Sequence, residues 1–123
     1  NELLALVLAG KKRATASCAY AYEAEGERPP RVGDLSVVTD AHGRPRCIIE
    51  TTAVTRVPFN EITEQQALRE GENTDLAGWR EAHRRFFKKE GSALGYAFTE
   101  TLPVLFEDFR VVFRDAAKDG EKG

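Results

Sequence analysis

The segment LSVVTDAHGRPRCIIETTAVTRV, residues 35–57, contains the clearest structural signal in the chain. Its two ends, 35–39 and 47–57, are rich in β-branched residues, which favour strands. Between them, residues 40–45 have the aspartate, glycine and proline of a tight connection. The segment therefore predicts a β-hairpin, with His42 as an ordinary turn residue.

The remaining segments predict helices around this hairpin and a closing strand. We expect helices at 2–9, 61–70 and 76–90, each followed by a glycine, and extended segments at 14–22 and 102–113. The predicted order indicates the α+β class: a helix, three strands, two helices and a strand. Long antiparallel strands with helices at one end predict a small, partly open barrel.

Length and composition indicate a single globular domain. The 123 residues are 41% hydrophobic and 31% charged, and we expect the domain at 1–114 with a charged, frayed tail at 115–123. No apolar run approaches the roughly 20 residues of a membrane span, so a membrane is not an expected partner. Because the chain begins with Asn1 rather than methionine, we expect either a trimmed chain or a missing N-terminal segment.

The two cysteines, Cys18 and Cys47, lie in apolar, strand-like surroundings. We expect buried thiols rather than a disulfide, which favours a cytoplasmic location. No histidine, cysteine and aspartate residues occur at metal-ligand spacing, so no metal site and no cofactor are predicted.

The formal net charge of −2 argues against a protein whose whole surface binds nucleic acid. Basic residues are nevertheless clustered, at 11–13 and at 80–89. In the second cluster, Arg80, Arg84 and Lys88 form a row along the expected helix. Such a row is either a solvated face or a phosphate-binding surface for short single-stranded RNA.

Aromatic residues supply further candidates for binding a base. Tyr20 and Tyr22 share one face of the expected extended segment 14–22, so they form either a stacking platform or part of the barrel core. Trp79 and His83, on the apolar face of helix 76–90, are expected to be core residues.

Four blocks of the sequence, in this order, resemble the ASCH domain family. The first fits the family signature G-x-K-x-x-T, the second its Gly-Asp step, the third its strand-to-helix segment ending in Glu-Gly-Glu, and the fourth a Trp-x₃-His-x₂-Phe-Phe helix of the bacterial branch. The blocks are Gly10–Thr15, Val32–Asp34, Val57–Glu72 and Trp79–Phe87. The resemblance runs from about Leu3 to Phe113.

The resemblance implies a PUA-like, mostly antiparallel β-barrel with flanking helices and work linked to RNA. Some ASCH proteins remove the acyl group from N4-acetylcytidine, at least one is a ribonuclease, and others are known as RNA-binding modules. In the amidohydrolases a lysine, a threonine and a glutamate act together, and these fall here on Lys12, Thr15 and Glu70. Small amidohydrolases carry an arginine two residues after the threonine, where this chain has Ser17.

The chemistry of amide hydrolysis suits these residue types. Thr15 would be the nucleophile, and Lys12 the base, because burial and cationic neighbours favour a neutral, proton-accepting lysine. Glu70 would protonate the departing nitrogen or hold the substrate N–H. Along a plain strand Lys12 and Thr15 would face opposite sides, so a turn after Gly10 has to bring them together.

Glu70 also stands at the expected C-terminus of its helix, where a carboxylate is electrostatically unfavourable. This position favours a functional role over a purely stabilising one.

The leading hypothesis is a metal-independent amidohydrolase acting on N4-acylated cytidine nucleosides. The alternatives are a ribonuclease and a non-catalytic RNA-binding module. The expected partner is a modified cytidine nucleoside or a short single-stranded RNA, and no obligatory protein partner is evident.

Overall fold

The computed structural model describes residues 2–115, which form one antiparallel sheet with flanking helices. The helices are α1 (Glu2–Leu8), α2 (Ala19–Glu25), α3 (Glu64–Glu70) and α4 (Leu76–Leu94). The strands are β1 (Ala14–Cys18), β2 (Leu35–Thr39), β3 (Pro45–Pro58) and β4 (Pro103–Arg114), and a 3-10 turn, Phe59–Glu61, follows β3. The predicted tail falls almost entirely outside the described residues.

The sheet has the strand order β1-β4-β3-β2, and every neighbouring pair is antiparallel. It curls into a half-barrel, which leaves β1 and β2 as free edges. The α+β class, the antiparallel architecture and the β2–β3 hairpin are therefore confirmed. Asp40 stabilises the hairpin turn, because its carboxylate accepts the backbone N–H groups of His42 and Arg44 at 2.9 and 3.0 Å.

The main core lies between α4 and one face of the sheet. Phe59 is its centre, with ring centroids 5.7 Å from Trp79, 6.2 Å from Phe87 and 5.0 Å from Phe98. Trp79 is fully buried, as the helical spacing predicted. A smaller core packs α1 against the opposite face of the sheet, through Leu4, Val7, Cys47 and Phe109.

The predicted extended segment at 14–22 is wrong beyond Cys18. Residues 19–25 form α2, because alanine and glutamate are strong helix formers and outweigh the alternation of the two tyrosines. Helix α2 ends at Gly26, which caps it in a left-handed conformation.

The break expected after residue 90 is also wrong, because α4 continues to Leu94. Gly91 lies inside the helix, where a Cβ atom would stand 2.3 Å from the carbonyl oxygen of Tyr96. It permits a close approach rather than a helix end. In α3 the helix starts at Glu64 rather than 61, since Thr63 and Gln66 form a capping box there.

Both cysteines are buried and free, which confirms the prediction of two thiols. Within residues 2–115, no helix is long and apolar enough to cross a membrane.

Candidate functional site

The position of Lys12 is set by the turn after α1, which is hydrogen-bonded to α1 on one side and to α3 on the other. Gly10 adopts a φ of 76°, which costs a glycine little, and the N–H of Lys12 donates to the carbonyl of Leu6 at 3.0 Å. The N–H of Arg13 then donates to the carbonyl of Arg69, in the last turn of α3, at 2.8 Å. Lys12 therefore precedes β1, and its side chain runs beside the strand.

Gly71 lies where this turn and α3 meet most closely. It caps α3 with a φ of 79°, and a Cβ atom there would lie 2.3 Å from the carbonyl oxygen of Lys11 and 2.9 Å from the Cα atom of Lys12. The glycine in the Glu-Gly-Glu block is thus a packing requirement of the site.

Lys12 and Glu70 together close the free edge of β1. At an edge strand, alternate backbone groups have no neighbouring strand to pair with. Here the N–H of Ala16 donates to Oε2 of Glu70 at 3.1 Å, and the carbonyl of Ala14 accepts from Nζ of Lys12 at 2.9 Å. The two side chains take the place of a fifth strand.

The carboxylate of Glu70 is only 2% exposed and is surrounded by donors. Its Oε1 accepts from the indole N–H of Trp79 and lies 3.0 Å from Nε2 of His83. Nδ1 of His83 lies 2.9 Å from the carbonyl of Trp79. Because an ionised carboxylate and a carbonyl can only accept, an imidazole ring with protons on both nitrogens would satisfy both contacts at once.

Lys12 is held as an ammonium ion in the same cluster. Its Nζ donates to Ala14 O at 2.9 Å, to Glu70 O at 3.3 Å and to Glu72 Oε2 at 2.7 Å, and it lies 3.7 Å from Glu70 Oε2. Three acceptors match the three donors of an ammonium group. Lys12, together with His83 when its ring is protonated, thus balances the carboxylates of Glu70 and Glu72.

Burial alone would raise the pKa of Glu70, but its neighbours more than offset this. The hydrogen bond and charge of His83, the charge of Lys12 and the indole N–H of Trp79 all lower it. The net effect places the pKa of Glu70 below its usual value of 4.5. Glu70 is therefore ionised near neutral pH, a state that favours accepting these hydrogen bonds over donating a proton.

This pKa shift predicts how stability depends on pH. A carboxyl group whose pKa is lowered by folding stabilises the folded state fully above its ordinary pKa, and this contribution is lost as pH falls through the lowered value. We expect the wild-type protein to lose its stability advantage over Glu70→Gln as the pH drops below 4.5. Urea unfolding at several pH values, followed by fluorescence of the one tryptophan, measures this. A difference that stays constant with pH would contradict the assignment.

Two clefts, each of about 410 Å³, meet at Thr15. The first, here called the polar cleft, is lined by the side chains of Thr15, Glu70, Glu72, Asn73, His83 and Phe86. The second, here called the apolar cleft, lies between α1 and the sheet and is lined chiefly by Leu4, Val7, Val37, Val38, Ile49 and Phe109. Lys12 and Thr15 also border the apolar cleft, so the hydroxyl stands between a polar and a hydrocarbon surface.

Lys12, Thr15 and Glu70, selected from the sequence, thus lie together in the structure. Tyr20 and Tyr22 do not join them. Because residue 19 begins a helix, Tyr20 turns towards Tyr96, with ring centroids 6.1 Å apart, and Tyr22 forms a 2.8 Å hydrogen bond with Ser17. Neither tyrosine lines the polar or the apolar cleft.

Arg80 and Arg84 also lie outside both clefts. Arg80 donates to the carbonyl of Asn60 at 3.2 Å, and Arg84 forms an ion pair with Glu100 at 3.1 Å. The helix face that lines the polar cleft is that of Ala82, His83 and Phe86.

Four residues of the polar cleft were not selected from the sequence: Glu72, Asn73, His83 and Phe86. His83 was interpreted as a core residue. Because it lies four residues after Trp79, both side chains share one helix face, and their rings stack with centroids 4.0 Å apart. Phe86, on the same helix, is half exposed and offers the cleft an aromatic surface. The Glu-Gly-Glu block contained the signal for Glu72.

Within the described range 2–115, no group of three or more histidine, cysteine, aspartate or glutamate side chains is arranged to hold a metal ion.

Comparison with known proteins identifies the family of this chain. The family model described as ASCH domain matches residues 1–113. The chain belongs to the ASCH domain family. No curated protein matches it significantly.

Two solved ASCH-like structures resemble the chain closely. The ASCH domain from Lactobacillus crispatus JV V101 is 44% identical, with a TM-score of 0.86, covering 93% of this chain and 72% of that one. A protein from Enterococcus faecalis V583 is 34% identical, with a TM-score of 0.86, covering 98% of this chain and 73% of that one. A hypothetical protein is 16% identical, with a TM-score of 0.61, and the match covers 91% of this chain and 93% of that protein. At this identity the likeness shows the fold alone.

Proposed function

We propose that this ASCH protein hydrolyses the amide bond of N4-acylated cytidine nucleosides. The observation that carries the proposal is the burial of Lys12 and Glu70 against the strand that presents Thr15, at the junction of two clefts. Burying charged groups costs free energy, and such clusters in clefts are typical of functional sites.

The two clefts suit the two halves of such a substrate. The polar cleft offers hydrogen-bonding side chains and the exposed ring of Phe86, on which a pyrimidine can stack. The apolar cleft offers hydrocarbon surface to an acyl chain. The amide carbonyl would then lie at Thr15, where the clefts meet. Each volume lies in the range of small-molecule sites, about 300–1,000 Å³.

The hydrogen bonds of Lys12 favour a role other than that of a base. An ammonium group has no lone pair, and Lys12 already donates all three protons. We propose that the substrate oxygen replaces its longest partner, the carbonyl of Glu70 at 3.3 Å. Lys12 would then stabilise the oxyanion that forms when the Thr15 hydroxyl attacks the carbonyl carbon.

The remaining steps follow from the chemistry of amides. Collapse of the tetrahedral intermediate breaks the C–N bond, and the cytidine amine leaves with a proton. Water then releases the acyl group from Thr15 as a carboxylic acid. Glu70 and His83 hold Lys12 and the β1 edge in place throughout.

Hydrolysis of N4-acetylcytidine, followed by its ultraviolet absorbance, tests this function. We expect Thr15→Val and Lys12→Met each to lower kcat/KM by at least about 100-fold, the loss typical of removing an oxyanion donor. Lys11→Met and Thr55→Val replace exposed residues of the same types and should leave the rate within about twofold. Arg84→Ala should also leave it unchanged, because Arg84 lies outside both clefts.

Wild-type protein that leaves N4-acetylcytidine and longer N4-acyl cytidines intact would refute the proposal. In that case, cleavage of short single-stranded RNA would favour a ribonuclease. Binding of the same RNA without cleavage, weakened by charge reversal at Arg80 and Arg84, would favour an RNA-binding module.

A further inference from the structure

Thr15 faces a carboxylate that neither the sequence signature nor the cluster around Glu70 includes. Thr15 of β1 and Glu107 of β4 are directly opposite each other in the antiparallel pair. Opposite residues share one face of the sheet, and their Cβ atoms lie about 4.5–5.5 Å apart. Side chains in such a directly opposite pair are close enough to interact.

Glu107 is held in place by a buried threonine. The hydroxyl of Thr51, only 2% exposed, donates to Oε2 of Glu107 at 2.5 Å. The register of β3 against β4 shifts between Thr51 and Ala53, immediately beside this contact. The bond fixes one carboxylate oxygen and leaves Oε1 as an acceptor.

The other charged groups near Thr15 are already engaged. Lys12 donates all its protons, and the oxygens of Glu70 receive Ala16, Trp79 and His83. Glu72 is the 2.7 Å partner of Lys12. A nucleophilic threonine still requires a proton acceptor, because its hydroxyl is inert at its ordinary pKa.

We propose that Glu107 is the proton acceptor for Thr15, an inference that rests on the proposed hydrolase function. The hydroxyl proton of Thr15 moves to Oε1 of Glu107 as the Oγ1–C bond forms. The protonated Glu107 then gives that proton to the cytidine nitrogen as the C–N bond breaks. In the second half, Glu107 takes a proton from water and returns it to Oγ1 when the acyl–oxygen bond breaks, so that the protein is unchanged.

Kinetics of matched variants test the role of Glu107. We expect Glu107→Gln, which keeps an acceptor for Thr51, to lower kcat about 100-fold with little change in KM, as removal of a general base does. A folded Glu107→Gln variant whose kcat stays within about twofold of the wild-type value would overturn the inference.

A readout independent of hydrolysis separates this inference from the proposed function. In Thr15→Cys, a neighbouring carboxylate disfavours the thiolate, so removing its charge should accelerate alkylation. We expect iodoacetamide to modify position 15 of Thr15→Cys/Glu107→Gln about tenfold faster than that of Thr15→Cys, a change equal to one pKa unit. Cys18 and Cys47 give little background, because burial raises the pKa of both thiols.

The alkylation and hydrolysis measurements can fail independently of each other. Equal alkylation rates at position 15 would overturn the role of Glu107, whatever the protein hydrolyses. Faster alkylation together with an inactive wild-type protein would refute the hydrolase function and still establish that Glu107 acts on position 15. Peptide mass spectrometry locates the modified residue in each case.

Discussion

Glu70→Ala is expected to lower the free energy of unfolding by about 3–5 kcal/mol, the usual cost of breaking a buried ion pair from one side. The substitution leaves Lys12 without one of its two carboxylates and His83 without its only acidic partner among residues 2–115. It also leaves the indole N–H of Trp79 and the N–H of Ala16 without an acceptor. Chemical denaturation measures the loss, which is a large part of a typical stability of about 5–15 kcal/mol.

A control and a second variant identify the cause. Glu64→Ala removes an exposed carboxylate from the same helix and should cost at most about 1 kcal/mol. Lys12→Met/Glu70→Ala should be less destabilised than the sum of its single changes, because the buried cation is removed with its partner. Additive single changes, or a cost for Glu70→Ala no larger than that of Glu64→Ala, would show that the ion pair does not stabilise the fold.

Gly71→Ala is expected to destabilise the protein by about 2–5 kcal/mol and to reduce the proposed hydrolysis further than this loss explains. The left-handed φ of 79° contributes about 1–2 kcal/mol once a side chain is present. The new methyl group would also overlap the backbone of Lys11 and Lys12, and overpacking of this kind costs about 1–3 kcal/mol. Moving that backbone displaces Lys12 from its acceptors.

Gly26→Ala separates the two contributions to this loss. Gly26 also caps a helix in the left-handed conformation, with a φ of 68°, but a Cβ atom there would have no neighbour within 4 Å. It should therefore cost only the conformational part and leave hydrolysis unchanged. Equal losses of stability and activity at Gly26 and Gly71 would contradict the close docking of the turn against α3.

The spacing of apolar residues along the sequence predicted most of the fold, because each helix or strand is signalled by residues close together in the chain. The hairpin is visible in its β-branched runs and its turn, and α4 in the spacing of Trp79 and Phe87. The segment after Cys18 was misinterpreted because two tyrosines two residues apart fit a strand, while the alanines and glutamates around them fit a helix. The local pattern supported both structures, and helix propensity decided the outcome.

The site could be predicted only in part, because it depends on contacts between distant segments. Lys12, Thr15 and Glu70 came from resemblance to a family motif, and the structure brings them together. The surroundings of the Lys12 ammonium group could not be predicted, because they depend on the backbone carbonyls of Ala14 and Glu70, the second of which comes from a distant segment. Pairing of Glu107 with Thr15 depends on the register of β1 against β4, which no local pattern encodes.

The closed edge of β1 has a consequence for interpreting other ASCH sequences. A relative with the same strand edge would expose it without a lysine and a glutamate at these positions, whether or not that relative is an enzyme, and an exposed edge is ready to pair with another chain. Those two residues therefore report an intact fold. The Thr15 hydroxyl closes no edge, so under the proposed function a change at this position would remove chemistry without exposing a strand. Under that proposal, position 15 is the one to compare among ASCH chains that keep the lysine and the glutamate.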